Sequence, residues 1–328
     1  MRYSGIGGQA VIEGIMMKNG DRYAVGVRKP DGNIEVKTED YIGFGKRHAW
    51  ARLPLIRGVV SFCESMYIGI KTLMYSASFF EDDEDVKPSR FEAWLERTFG
   101  DRLDQVLMTF SMVLAFVMAI VVFMWLPLAL ASLLRGIIHN ETVMALLEGA
   151  VRVCIFIGYV MLVSRSEDIK RTFMYHGAEH KCINCIEHGL PLTVRNVAVS
   201  SKQHKRCGTS FIFLVMIISI LFFMVIRVDG LLLRFLSRIL LIPVIAGVSY
   251  EVLMAAGRHD NWLMNLISKP GLWMQNLTTK EPDDGMIEVA IAAVEAVFDW
   301  KAYEEENFPE GPDSLGRQLL ERAGGEAA

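Results

Sequence analysis

Apolar positions in this chain gather into runs, and the runs differ in length and period. Residues 106–134 form 29 positions without a charge, and residues 209–226 form 18 more. A helix needs about 20 apolar residues to cross a bilayer at 1.5 Å rise each, so both runs predict membrane-crossing helices. Two further runs carry charges. The stretch 145–164 holds Glu148 and Arg152, spaced i,i+4 so that they can pair. The stretch 231–256 has Arg234 and Arg238 early, Pro243 in the middle and Glu251 late. Only a few residues around Asp229-Gly230 separate the last two runs, which predicts an antiparallel helical hairpin. Pro127 marks a kink or late break in the first run.

Outside these four spans the period changes. Residues 1–50 read as a small β-rich unit. Its segment 9–17 is apolar around Glu13, and a hairpin turns at Pro30-Asp31-Gly32, where Pro presets φ and Gly tolerates φ > 0. Glycines 5, 7 and 8 lack the spacing of a dinucleotide fingerprint. Residues 53–80 predict a helix with one narrow polar stripe, Arg57, Glu64 and Lys71 recurring every seven residues beside Ser61 and Ser65. That helix lies in the membrane interface or packs on the spans, with an ordinary core helix as the alternative. Residues 81–105 begin with five consecutive acids, a solvated linker. Beyond the spans, 257–328 runs through a Trp- and Asn-rich stretch. A helix then starts at Pro282, and the tail from 309 is expected to fray.

Composition sharpens this picture. Hydrophobic residues make up 52% and charged residues 22%, against roughly 45–50% and 25% in soluble domains. Net charge is −4 with no dominant basic stripe, so no nucleic-acid partner is expected. No signal peptide is expected, because Glu13 interrupts the first apolar stretch. Residues 165–208 hold eight Lys and Arg, whereas 135–144 holds only Arg135. That bias places 165–208 and both termini in the cytoplasm. Arg227, Arg234 and Arg238 pull the other way. Cys63 and Cys154 read as buried small hydrophobes.

The candidate chemistry lies in Tyr175-His176-Gly177-Ala178-Glu179-His180-Lys181. On a helix His176 and His180 project from one face, a bidentate metal pair. The order H-x-x-E-H is the inverted zincin pattern, in which the histidines hold zinc and the glutamate takes a proton from water. A third ligand is needed, with a fourth position open. Glu251 qualifies, 71 residues after His180, because a carboxylate inside a span is costly without a cation. His204 and Cys207 are the alternatives. A second pattern overlaps: Cys182-x2-Cys185 with His204-x2-Cys207 has the spacing of a closed, structural zinc ribbon. Glu13 would be costly if buried alone, and approaches the histidine helix from the soluble side. His48, His139, His188 and His259 read as surface positions.

Several long motifs resemble one family. Gly7-Gly8-Gln9-Ala10-Val11-Ile12-Glu13-Gly14-Ile15-Met16-Met17 is similar to the opening of the YqhQ-like bacterial membrane proteins. The resemblance continues through Tyr175 to Lys181, Ile183-Asn184-Cys185, Arg206-Cys207-Gly208, Leu241-Ile242-Pro243 to Glu251, and Pro270-Gly271-Leu272-Trp273 to Pro282. It implies a metal-dependent membrane enzyme. Cys182 departs from the family, where an aliphatic residue is usual. That disfavours the ribbon and favours a site built from His176, His180, His204, Cys207 or Glu251, with Cys185 and Glu13 as additional candidates.

The expectation is therefore a mainly α, polytopic inner-membrane protein with about four transmembrane helices and a small N-terminal β-rich cytoplasmic unit. Its segments are 1–50, 53–80, 81–105, spans 1–2 in 106–164, the His/Cys segment 165–208, spans 3–4 in 209–256, and 257–328. The lipid bilayer and a protein or peptide substrate are the expected partners. The expected activity is that of a zinc-dependent hydrolase with Glu179 as general base. The alternative is a non-catalytic scaffold or assembly factor stabilised by a divalent metal.

Overall fold

A computed structural model describes residues 2–80, 100, 103–226, 228, 230–258 and 261–323. The chain is mainly helical behind an N-terminal sheet of strands β1 (Ile6–Val11), β2 (Gly14–Asn19), β3 (Arg22–Arg28) and β4 (Ile34–Asp40). The helices are α1 (Ile56–Ala77), α2 (Leu103–Ile120), α3 (Leu126–Ser132), α4 (Glu141–Val163), α5 (Glu167–Glu187) and α6 (Val194–Val199). After them come α7 (Gly208–Val225), α8 (Leu231–Arg258), α9 (Trp262–Thr278), α10 (Asp284–Glu295), α11 (Trp300–Asn307) and α12 (Ser314–Ala323). Two compact units emerge: residues 1–80, 160–218 and 242–328 in one, and 81–159 with 219–241 in the other.

In the first unit the strands pair antiparallel in chain order. The Pro30-Asp31-Gly32 turn joins β3 to β4, with Gly32 at φ +84°. Segment 9–17, expected as one apolar stretch, is itself a hairpin. Ile12 and Glu13 turn it, with Glu13 at φ 47°. Neither residue type signals a turn. Tertiary contacts hold it: the Arg28 N–H donates to the Glu13 carbonyl at 2.9 Å, and Arg171 grips the Glu13 carboxylate.

Alternation along the strands gives the sheet two apolar faces. Ile15 and Met17 join Tyr175, Ala178, Ile183 and Ile186 of α5 and Ile287, Val289 and Ala293 of α10 in one core. Met16, Tyr23, Val25 and Val27 pack on the other side with Ile68 of α1. The polar stripe of α1 is consumed by partners. Arg57 bonds Glu251, Glu64 accepts from the Phe44 N–H, and Lys71 pairs with Glu39.

Among the described residues, four helical segments are long and apolar enough to cross a membrane: Val106–Ser132, Glu141–Val163, Gly208–Val225 and Leu231–Arg258. The first is interrupted by a π-helical turn at Val121–Trp125, just before Pro127. Proline at 127 cannot bond the Phe123 carbonyl one turn back. Arg152 Nε donates to that carbonyl instead, at 3.1 Å.

Three expectations change. Residues 309–323 do not fray. Residues 314–323 form α12, whose Leu319 enters the core, and Asp313 accepts from His188 Nδ1 at 2.7 Å, so His188 is a buried tie rather than a surface group. Cys63 and Cys154 are exposed, not buried. The Trp- and Asn-rich stretch is a continuous helix, α9, started by Asn261, whose side chain accepts from the Met264 N–H. The acidic run 81–85, Asp229 and His259 lie outside the described residues.

Candidate metal centre

Helix α5 carries the H-x-x-E-H motif, and its two imidazoles lie side by side with ring centroids 4.4 Å apart. Each is tied by one nitrogen to a backbone carbonyl: His176 Nδ1 donates to Thr278 O at 2.9 Å, and His180 Nδ1 donates to Lys202 O at 2.7 Å. A carbonyl only accepts, so these bonds fix the tautomers and reserve both Nε2 atoms for a further partner. Cys207 supplies it. Its Sγ is 3.2 Å from His176 Nε2, and donor atoms of His176, His180 and Cys207 lie within 4.8 Å of one another.

Three local devices build this geometry. The loop 200–207 is laced to α5 by Lys181 Nζ, which donates to Ala198 O at 2.8 Å and Ser200 O at 3.0 Å. Asn184 Nδ2 likewise donates to Ser201 O and Gln203 O at 2.7 and 2.9 Å. From α9, the fully buried Gln275 clamps the same loop, accepting from His204 N at 2.8 Å and donating to His204 O at 2.7 Å. Finally, Gly177 lets the chain after α9 cross α5 closely. A Cβ there would collide with the Lys280 carbonyl. That crossing delivers the Thr278 carbonyl to His176.

Electrostatics suit a cation. Burial disfavours the Cys207 thiolate, but the His176 and His180 imidazoles outweigh it and hold the thiol well below its ordinary value. Burial likewise disfavours charge on His176, yet the facing Cys207 raises its pKa to about 9. The two shifts run in opposite directions, each favouring the charged form of its group. Glu179 lies beside it, 5% exposed, with burial raising its carboxyl pKa. Its Oε2 is buried without a hydrogen-bond partner among the described residues. Gly8 of β1 makes room: a Cβ there would lie 3.0 Å from Glu179 Cδ. Two imidazoles and a thiolate are a borderline-soft donor set that favours zinc over magnesium or calcium, so the residues fit a zinc-type ion.

The other sequence candidates go elsewhere. Glu251 accepts from Arg57 Nε at 2.7 Å. Glu13 accepts from Arg171 and, at 3.3 Å, from the Tyr175 hydroxyl, so it meets the histidine helix on flanking residues. Cys182 and Cys185 sit in the apolar core, where burial pushes both thiols up. His204 stacks near His180 at 5.7 Å between centroids, and burial lowers its pKa. Its Nε2 is 3.6 Å from Glu187, a fully buried carboxylate. Burial opposes that charge, but His204, Arg206 and the Ser4 N–H hold the pKa at about 2. Lys181, Asn184, Gln275 and Thr278 escaped sequence reasoning. Polar residues on the buried face of α9 were the available signal.

Comparison with known proteins places these features in context. A family described as "Protein of unknown function (DUF1385)" matches residues 53–300. The uncharacterized protein YqhQ of Bacillus subtilis (strain 168) is 35% identical over 307 residues, covering 92% of this chain and 94% of the relative. No solved structure matches.

Proposed function

We propose a function for a chain that belongs to the DUF1385 family: a zinc-dependent hydrolase at the cytoplasmic membrane face, acting on a protein or peptide. The carrying observation is the convergence of His176, His180 and Cys207 beside the unpartnered Oε2 of Glu179. Three protein donors leave a position open, as catalytic zinc requires, whereas structural zinc takes four. When bound, such an ion supplies Lewis acidity and water of lowered pKa. The chain's own part is then clear. His176 and His180 are oriented through their Nδ1 bonds, Cys207 contributes a thiolate, and Glu179 Oε2 accepts a proton. Its burial raises the carboxyl pKa, the direction a general base needs. Peptide hydrolysis rests on the likeness of H-x-x-E-H to peptidase motifs. The Lys and Arg bias of 165–208 supports a cytoplasmic site and cytoplasmic termini. A cysteine introduced at His139 is expected to label from the outer face, and labelling only after permeabilisation overturns that orientation.

Burial favours a second reading. His180 is 1% exposed and Cys207 5%, as a closed structural site would be. In that reading the histidines and Cys207 hold a divalent metal that folds the loop of a non-catalytic scaffold, and Glu179 has no part in it. Metal content and thermal stability of wild type, Glu179→Gln and His180→Ala separate the two, read together with phenotype in cells. For a hydrolase, Glu179→Gln keeps one metal per chain and its fold but loses function. For a scaffold, Glu179→Gln is silent in cells and His180→Ala lowers abundance. Wild-type protein without stoichiometric metal rejects both.

A further inference from the structure

The second unit holds a charge cluster that the metal centre does not use. Arg135 and Arg234 both donate to Glu141 Oε2, at 3.3 and 3.0 Å. Arg152 donates to Glu148 Oε1 at 2.8 Å, and Arg238 bonds the same oxygen. Each carboxylate therefore faces two guanidiniums. The inner triad is buried: side-chain exposure is 5% for Glu148 and 8% for each arginine. Arg152 and Arg238 also share the Phe223 ring, at 5.3 and 4.7 Å from its centroid.

These six side chains carry four positive and two negative charges. Arg227 and Asp229 lie outside the described residues, to which this balance refers. Uncompensated charge among apolar helices is costly, and guanidiniums there are ordinarily paired. The donors are also unequally used. Arg152 directs all three of its nitrogens at acceptors: Glu148, the Phe123 carbonyl and Ser219 Oγ, the last at 2.8 Å. Arg238 spends only Nη1 on a described acceptor, and Arg135 only Nη2. Both line a cavity of about 30 Å³ together with Glu141, Glu148, Arg234 and Ser237. That volume admits about two water-sized atoms.

We propose that this cavity receives the oxygens of a phosphate-class anion, presented by a phospholipid headgroup or by free phosphate. Planar guanidinium forks match such oxyanions in charge and geometry; a phosphate dianion offsets the excess of two, and a phosphodiester headgroup, with one charge, offsets half of it.

Full-length protein in dodecyl maltoside micelles, which carry no phosphate, with thermal unfolding followed at constant ionic strength, tests this. If inorganic phosphate raises the wild-type midpoint by about 3 °C or more over chloride, the ligand is the free oxyanion. If the rise appears only when phosphatidylglycerol is added to the micelles, the ligand is the headgroup. In either case Arg238→Leu abolishes the rise. Should that variant fail to fold, Arg135→Gln, at a partly exposed position, takes its place. No rise in wild type from either source overturns the proposal. A rise that survives intact in Arg238→Leu or Arg135→Gln overturns it too, because a general effect of the lipid or salt does not need those donors.

Discussion

Gly177 separates the two histidines by position and joins the site by what it lacks. Adding a methyl group forces the Lys280 carbonyl away and with it the Thr278 carbonyl that fixes His176. Gly177→Ala should cost about 1–3 kcal/mol of stability and lower metal affinity about 10–100-fold, the usual loss when a ligand's supporting bond goes. Chelator competition measures the second effect, and unaltered affinity would show that the carbonyl does not set the ligand. Glu39 offers a pH test away from the centre. Bonds from Lys71, Tyr23 and Lys37 hold its pKa at about 2. A depressed carboxylate stabilises the fold above its unfolded pKa of about 4.3 and loses that contribution as pH falls towards 2. Glu39→Gln should therefore melt below wild type at pH 7, with the gap closing between about pH 5 and 2. A constant gap across that range contradicts the ion-pair account.

Among the elements, α5 shows how far local sequence reaches. Its spacing of histidines predicts one face and delivers one face, because the helical period is local. The third donor is not local. Cys207 arrives only because Lys181, Asn184 and Gln275 fix the loop 200–207. The spans behave similarly. Pro127 announces an interruption, yet the π turn and the Arg152 bond to Phe123 depend on a neighbouring helix. Glu148 holds Arg152 and Arg238 together, so Glu148→Gln strands two buried guanidiniums and should destabilise by about 3–5 kcal/mol. Arg238→Leu leaves one charge of each sign and should cost clearly less. Denaturation in mild detergent compares them, and equal losses would mean that packing rather than charge governs the cluster.

For the whole molecule, apolar surface is the dominant feature. Phe110, Phe116, Leu162, Val225 and Leu240 are exposed along the spans. On α9 Trp262, Leu263, Leu266 and Trp273 form one exposed face, while Gln275 and Thr278 on the other hold the His176, His180 and Cys207 cluster in place. Trp at such a position marks a membrane–water interface. Brominated lipids should quench Trp262 fluorescence relative to a Trp262→Phe control, and absent quenching would place α9 in water. By itself the sequence determined four apolar spans, an N-terminal β unit, the β3–β4 hairpin and the paired histidines. Each follows from hydrophobic period or turn chemistry, which act over a few residues. Tertiary structure alone decided that Cys207 rather than Glu251 or Glu13 meets the histidines. Charged side chains take whatever opposite charge the fold brings near, and Arg57 and Arg171 reach those carboxylates across 194 and 158 residues of chain.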